Sequence, residues 1–372
     1  MLAVGFFSFD SLFGAGWARL GIDAALAYVT YRDSTEGAAA ARYSLRALAT
    51  APDLAQSHLA RGLYHRSVTL QVDSAITYLT DARELSPGDA DVAHFLASAY
   101  QVAGRLDEAL TEARRGAALD PKNPSALGRV ARVHAWSRRL DDAWESHLRV
   151  RALAPAVVPP FSWNDGPIIR LGQGDLAAAR AAVASVPSPD QRSQAIVYNF
   201  TPYLMPQVVD DSLLADTCER GQRSLFAAAP WSRHLLCAEA ARRVQRASRM
   251  RAHADSAAEL LRGAVPGTPA HRTQYAWALL LAGDTVEALR HADLARAWRR
   301  MDEDAYFGTL NTIWYVQIVA LAGDVDRTVP ALRELLTKPS PVTAAWLRAD
   351  PTFDRLRDNA QFVELLTRAE AR

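Results

Sequence analysis

The chain has 372 residues, with 42 Lys and Arg against 41 Asp and Glu and a formal net charge of +1. That balance leaves no global field for nucleic acid or for an anionic membrane surface. Apolar residues make up 49%, an ordinary globular share that excludes a disordered chain, and two cysteines are too few for a disulfide scaffold.

The opening run, MLAVGFFSFDSLFGAGW, is apolar but lacks a Lys or Arg before its apolar part, and Asp10 interrupts it early. It does not read as a signal peptide. No uninterrupted apolar run approaches the roughly 18 residues of a membrane span. The expectation is a cytoplasmic protein, or a periplasmic one if an upstream part is missing. The first residues resemble the middle of a helical pattern, so Met1 need not be the natural start. Phe6, Phe7, Phe9 and Phe13 are too apolar for a free end, which points to a homo-oligomer formed through the amino-terminal repeat.

Residues 17–31 carry apolar side chains at helical spacing. Ala40, Ala47, Leu48 and Pro52 then begin a pattern that recurs. Helix endings ARELSP, AALDP and RALAP close at Pro87, Pro121 and Pro155, which are 34 residues apart in each case. Pro52 to Pro87 is 35, with the extra residue assigned to the turn around Val68–Val72. The best-kept unit is Ala90–Pro121. Ala97, Ala109 and Gly116 are small where two helices cross closely. Leu96 is apolar, Tyr100 fills the gap between neighbouring pairs, and Gly104 makes the turn. Pro121 cannot continue a helix and sends the chain towards the next pair.

A 34-residue period with small residues at these offsets resembles the tetratricopeptide repeat. The resemblance implies an all-α, right-handed α-α superhelix of about eight to nine helix pairs with a carboxy-terminal capping helix. Regular repeats are expected at 22–55, 56–89, 90–123 and 124–157, so that 1–157 forms the amino-terminal array. His134 and His147, in the fourth repeat, read as half-buried packing residues. Four prolines in APAVVPPFSWNDGP open a degenerate segment of helical pairs, 158–267. Repeat-like pairs return over 268–338, where LAGD occurs at 281–284 and 321–324. The tail, 339–372, reads as the cap, with a helix start near Asp358-Asn359.

The segment APDLAQSHLARGLYHRS and the ending WLRADPTFDRLRDNAQF resemble the carboxy-terminal repeat region of bacterial Ser/Thr protein kinases and related signalling regulators. That resemblance implies a regulatory arm whose effector domain is elsewhere. No Gly-rich phosphate loop, His-Arg-Asp loop or Asp-Phe-Gly is present. GAGWARLG at 14–21 has the wrong glycine spacing for a nucleotide fingerprint.

No HExxH, CxxC or Walker motif occurs, so no catalytic residue, metal ligand or cofactor is expected and the chain reads as a non-enzyme. Cys218 and Cys237 read as half-buried free thiols. Met301-Asp302-Glu303-Asp304 reads as a helix start, and Arg299-Arg300 as a solvated helix end. In a tetratricopeptide array the first helix of each pair lines the concave groove. The resemblance therefore assigns Asp91, His94, Ser98 and Gln101 to the groove. From the next unit it adds Ser125, Gly128, Arg132 and Trp136, with Arg129 beside them, and from 56–89 it adds Arg61 with Tyr64 or His65. Trp136 could equally pack between repeats. Such a mixed aromatic and basic groove fits an extended protein or peptide segment with acidic or aromatic side chains. The reading is a protein- or peptide-binding scaffold or sensor arm, with no nucleic-acid or membrane partner. One alternative is the regulatory fragment just described. A further one is a small-molecule sensor with a pocket in 156–267, near Trp163 and Trp231.

Overall fold

The computed structural model describes residues 13–31, 33–153, 165–186, 189–200, 206–221, 223–227, 229–263 and 269–371. Phe6, Phe7, Phe9 and Trp163 lie outside them. Every regular element among the described residues is helical. The fold is all-α, of helix pairs joined by turns too short for anything but antiparallel neighbours. The chain divides into two compact units, Met1–Val130 and Ala131–Arg372.

The first unit contains α1 (Gly14–Tyr31), α2 (Ser34–Thr50), α3 (Ala55–Tyr64), α4 (Val72–Leu85), α5 (Ala90–Val102) and α6 (Leu106–Leu119). It also holds the start of α7 (Pro124–Trp136). The helices form because apolar and small residues recur at helical spacing, and their buried faces meet. Ala47, Ala60, Leu63, Leu79, Leu96, Ala97 and Ala109 are all fully buried. Burying each Leu contributes about 1.5–3 kcal/mol. Close crossing requires small residues: a Cβ on Gly62 would lie 2.7 Å from Leu79 Cγ. Asp89 caps α5 by accepting from the Asp91 and Val92 amides. Gly104, at φ +74°, ends it, and the Arg105 amide returns to the Tyr100 carbonyl at 2.9 Å. The extra residue of the 35-residue spacing is absorbed by a π-turn, His65–Thr69, which Leu70 closes at φ +59°.

The second unit continues α7 and adds α8 (Leu140–Leu153), α9 (Asp165–Gly172), α10 (Leu176–Ala184), α11 (Pro189–Phe200) and α12 (Asp211–Arg220). There follow α13 (Trp231–Arg243), α14 (Ala247–Arg262), α15 (Pro269–Ala282), α16 (Thr285–Ala297), α17 (Phe307–Leu321) and α18 (Val325–Thr337). The chain ends with α19 (Ala344–Ala349), a 3-10 turn Pro351–Leu356, and α20 (Ala360–Glu370). The two LAGD sequences each join a pair. Gly283 and Gly323 adopt positive φ, and Asp284 and Asp324 cap the next helix through the Glu287 and Arg327 amides. His134 and His147 are more deeply buried than half, at 3% and 4% exposure.

This unit closes on itself. The Ser340 amide donates to the Trp136 carbonyl at 3.0 Å, and Thr343 Oγ1 donates to the Gly172 carbonyl at 2.6 Å. Arg138 stands 34 residues after Gly104, at the turn position, with φ +56°. Its guanidinium donates to the carbonyls of Leu335, Lys338 and Val342 at 2.6–3.0 Å. Those three bonds hold a non-glycine residue where a left-handed backbone is needed. The tail motif is a packing device. Trp346, Phe353, Leu356 and Phe362 are buried, and Asp350 accepts from Trp346 Nε1, Gln207 Nε2 and the Thr352 amide. Asn359 caps α20.

Two expectations are corrected here. Cys218 and Cys237 are joined in a disulfide, because α12 and α13 pack side by side and bring their Cα atoms to 5.2 Å. Arg299 is not solvated. It is buried, its Nη1 lies 3.0 Å from Asp304 Oδ2 and its guanidinium stands over the Phe307 ring.

Candidate functional site

Most of the predicted groove residues belong to the first unit, among them Arg61 and Tyr64 on α3, Asp91, His94, Ser98 and Gln101 on α5, and Arg129 on α7. The first helices of successive pairs supply all of them, as the repeat geometry requires. Arg61 stands over the Tyr64 ring at 4.6 Å. Tyr64 meets His65 edge-on at 5.1 Å, and His65 stacks on Tyr78 at 5.5 Å. Burial, then the Arg61 charge, hold the His65 imidazole below its usual range.

Arg129 ties the next part together. Its Nη1 donates to Gln101 Oε1 at 3.0 Å, and its Nη2 lies 3.3 Å from His94 Nε2. A guanidinium cannot accept, so His94 Nε2 is the acceptor and its proton sits on Nδ1. Arg66 Nε donates to Ser98 Oγ at 3.1 Å. Asp91 stands in the first turn of α5. Desolvation, followed by the nearby Asp89 and Asp120, raises its carboxyl above the usual range.

The row keeps unused donors. Arg61 Nε and Nη1 and Gln101 Nε2 are buried and have no hydrogen-bond partner. A buried donor without an acceptor costs about 1–3 kcal/mol.

Arg132 and Trp136 do not join this row. Both are buried inside the second unit. Arg132 holds Asp165 through two bonds, and Trp136 donates from Nε1 to the Ala305 carbonyl at 3.1 Å while its ring meets Tyr306 at 4.9 Å. Closure of the second unit covers the side of α7 that an open array would leave free. Of the other groove positions, Ser125 is half-buried and Gly128 is buried. Arg66, which the repeat offsets missed, lies within the π-turn, where the one-residue insertion shifts the register.

In the 158–267 segment, Trp231 Nε1 donates to Gln274 Oε1 at 2.6 Å. A cavity of about 370 Å³ there is lined by Cys218, Glu219, Arg233, His234, Cys237, Arg249 and His253. No described helix is long and apolar enough to cross a membrane.

Residues 71–126 match the family model described as a tetratricopeptide repeat. A search of curated proteins finds no match. Among solved structures, the type IV pilus biogenesis factor PilW is similar over 50% of this chain and 81% of its own, at 18% identity and a TM-score of 0.42. PilF of Pseudomonas aeruginosa is similar over 70% and 96%, at 15% identity and a TM-score of 0.40. YrrB, a TPR protein with an unusual peptide-binding site, is similar over 50% and 91%, at 13% identity and a TM-score of 0.36.

Proposed function

We propose that the chain is a non-catalytic binding scaffold that takes an extended protein segment rich in acidic side chains along the α3–α5–α7 row of the first unit. The observation that carries this reading is the set of buried N–H donors on Arg61 and Gln101 without acceptors. A carboxylate on Arg61 would form a charge-assisted bond, and a peptide carbonyl would satisfy Gln101 Nε2. His94 and Ser98 are held in place by Arg129 and Arg66, so the face is pre-organised and loses little side-chain entropy on binding.

The test is fluorescence anisotropy with labelled peptide pools of matched length, one acidic, one basic and one neutral. The acidic pool binds in preference, and raising salt weakens it. Arg61→Met and Gln101→Leu each reduce affinity about tenfold, close to one hydrogen bond to a charged or buried group. Equal binding of the three pools, or unchanged affinity in both variants, overturns the assignment.

A further inference from the structure

Two cysteines and two histidines line the 370 Å³ cavity of the second unit, beside Glu219. Cys218 comes from α12, His234 and Cys237 from α13, and His253 from α14. His234 and Cys237 stand three residues apart, on one face of their helix. The Nδ1 atoms of His234 and His253 face one another at 3.3 Å. A tetrahedral ion that holds two imidazole nitrogens at about 2.0–2.1 Å sets them about 3.3–3.4 Å apart. The two cysteines, with Cα atoms 5.2 Å apart, line the same cavity as that pair.

As the described residues stand, no group of three or more His, Cys, Asp or Glu is set to hold a metal ion. The disulfide ties up both sulfurs. We propose that reduction of Cys218–Cys237 converts this cavity into a tetrahedral site for a zinc-class divalent cation, with Cys218, Cys237, His234 and His253 as ligands.

The charges balance. Two thiolates neutralise the dication, and the imidazoles bind as neutral bases. One Nδ1 now donates to the other. In the metal site both would present a lone pair and carry their proton on Nε2. Arg233 donates to the Cys218 carbonyl and Arg249 pairs with Glu219.

The redox step uses an external phosphine. The phosphine is oxidised to its oxide, water supplies the oxygen and two protons, and the S–S bond is replaced by two thiols. Cation binding then releases those two protons to solvent. In cells a dithiol would serve as reductant by exchange, so a reducing compartment favours the metal form and an oxidising one the disulfide.

The experiment titrates Co²⁺ and then Zn²⁺ into the full chain, with and without prior phosphine treatment and anaerobic removal of the phosphine. The reduced chain takes one Co²⁺, with visible bands of tetrahedral geometry and a near-ultraviolet thiolate-to-cobalt transition, and Zn²⁺ displaces it. The oxidised chain shows neither band. His253→Ala and Cys218→Ser each weaken binding at least tenfold while circular dichroism keeps the helical signal. Should either unfold, His234→Asn in the reduced chain gives the same reading. Absence of cobalt binding after reduction, binding without the thiolate transition, or equal affinity in the histidine variants overturns the proposal.

Discussion

Arg132 and Asp165 meet as a buried pair, with Nε on Oδ1 at 3.1 Å and Nη2 on Oδ2 at 2.9 Å. The bond joins α7 to the first turn of α9, inside the second unit. Removing one partner leaves a buried charge without compensation. Arg132→Met or Asp165→Leu alone should therefore lower stability by about 3–5 kcal/mol, whereas the double variant regains much of the loss. Urea denaturation of the four chains, followed by tryptophan fluorescence, measures the coupling. Additive losses would show that the pair does not act as a unit.

Arg138 combines a left-handed backbone with three bonds to the returning tail. Arg138→Gly loses the bonds but relieves the backbone. Arg138→Ala loses both advantages. Each should destabilise the second unit, and the alanine variant should be the weaker by about 1 kcal/mol. Hydrogen exchange at the Ser340 amide, which donates to Trp136, should speed up in both.

His147 is buried, with its imidazole pushed down to about 4, chiefly by desolvation. Its ring stacks on Trp144, and Gly166 is small where its Nε2 approaches. The unfolded chain takes up a proton near pH 6.5, and the folded chain resists until about 4. Stability from this group is thus complete above pH 6.5 and falls as the solution is acidified towards 4, by up to about 3 kcal/mol. In His147→Phe that acid-dependent loss should shrink. Melting curves between pH 7 and 4 compare the slopes.

The Cys218–Cys237 bond spans 19 residues of sequence. Closing a loop of that size should stabilise the chain by about 3 kcal/mol through the unfolded state. Reduction in metal-free buffer should lower the melting temperature, and Cys218→Ser with Cys237→Ser should reproduce the reduced value.

The helix pairs were legible in the residues because their causes are local. Ala97 and Ala109 are small at a crossing, Gly104 supplies positive φ and Asp89 caps, all within one 34-residue unit. The 35-residue spacing likewise announced the irregularity that became a π-turn. Arg61, Asp91, His94, Ser98, Gln101 and Arg129 fall on α3, α5 and α7, the first helices of their pairs, as their offsets in a repeat require.

Arg132 and Trp136 follow from the same offsets, yet they are core residues. What buries them arrives from Asp165 and from Ala305, 169 residues beyond Trp136. The disulfide, the Arg138 clasp and the His234–His253 pair are of the same kind. An isolated repeat carries no mark of which distant segment will cover it, since burial depends on how the pairs stack and whether the unit closes. Sequence alone therefore determined the helix pairs, their period and their turns. Only the tertiary structure decided which polar residues are left with donors to offer and which are sealed inside, because long-range closure and the cost of burying charge settle that together.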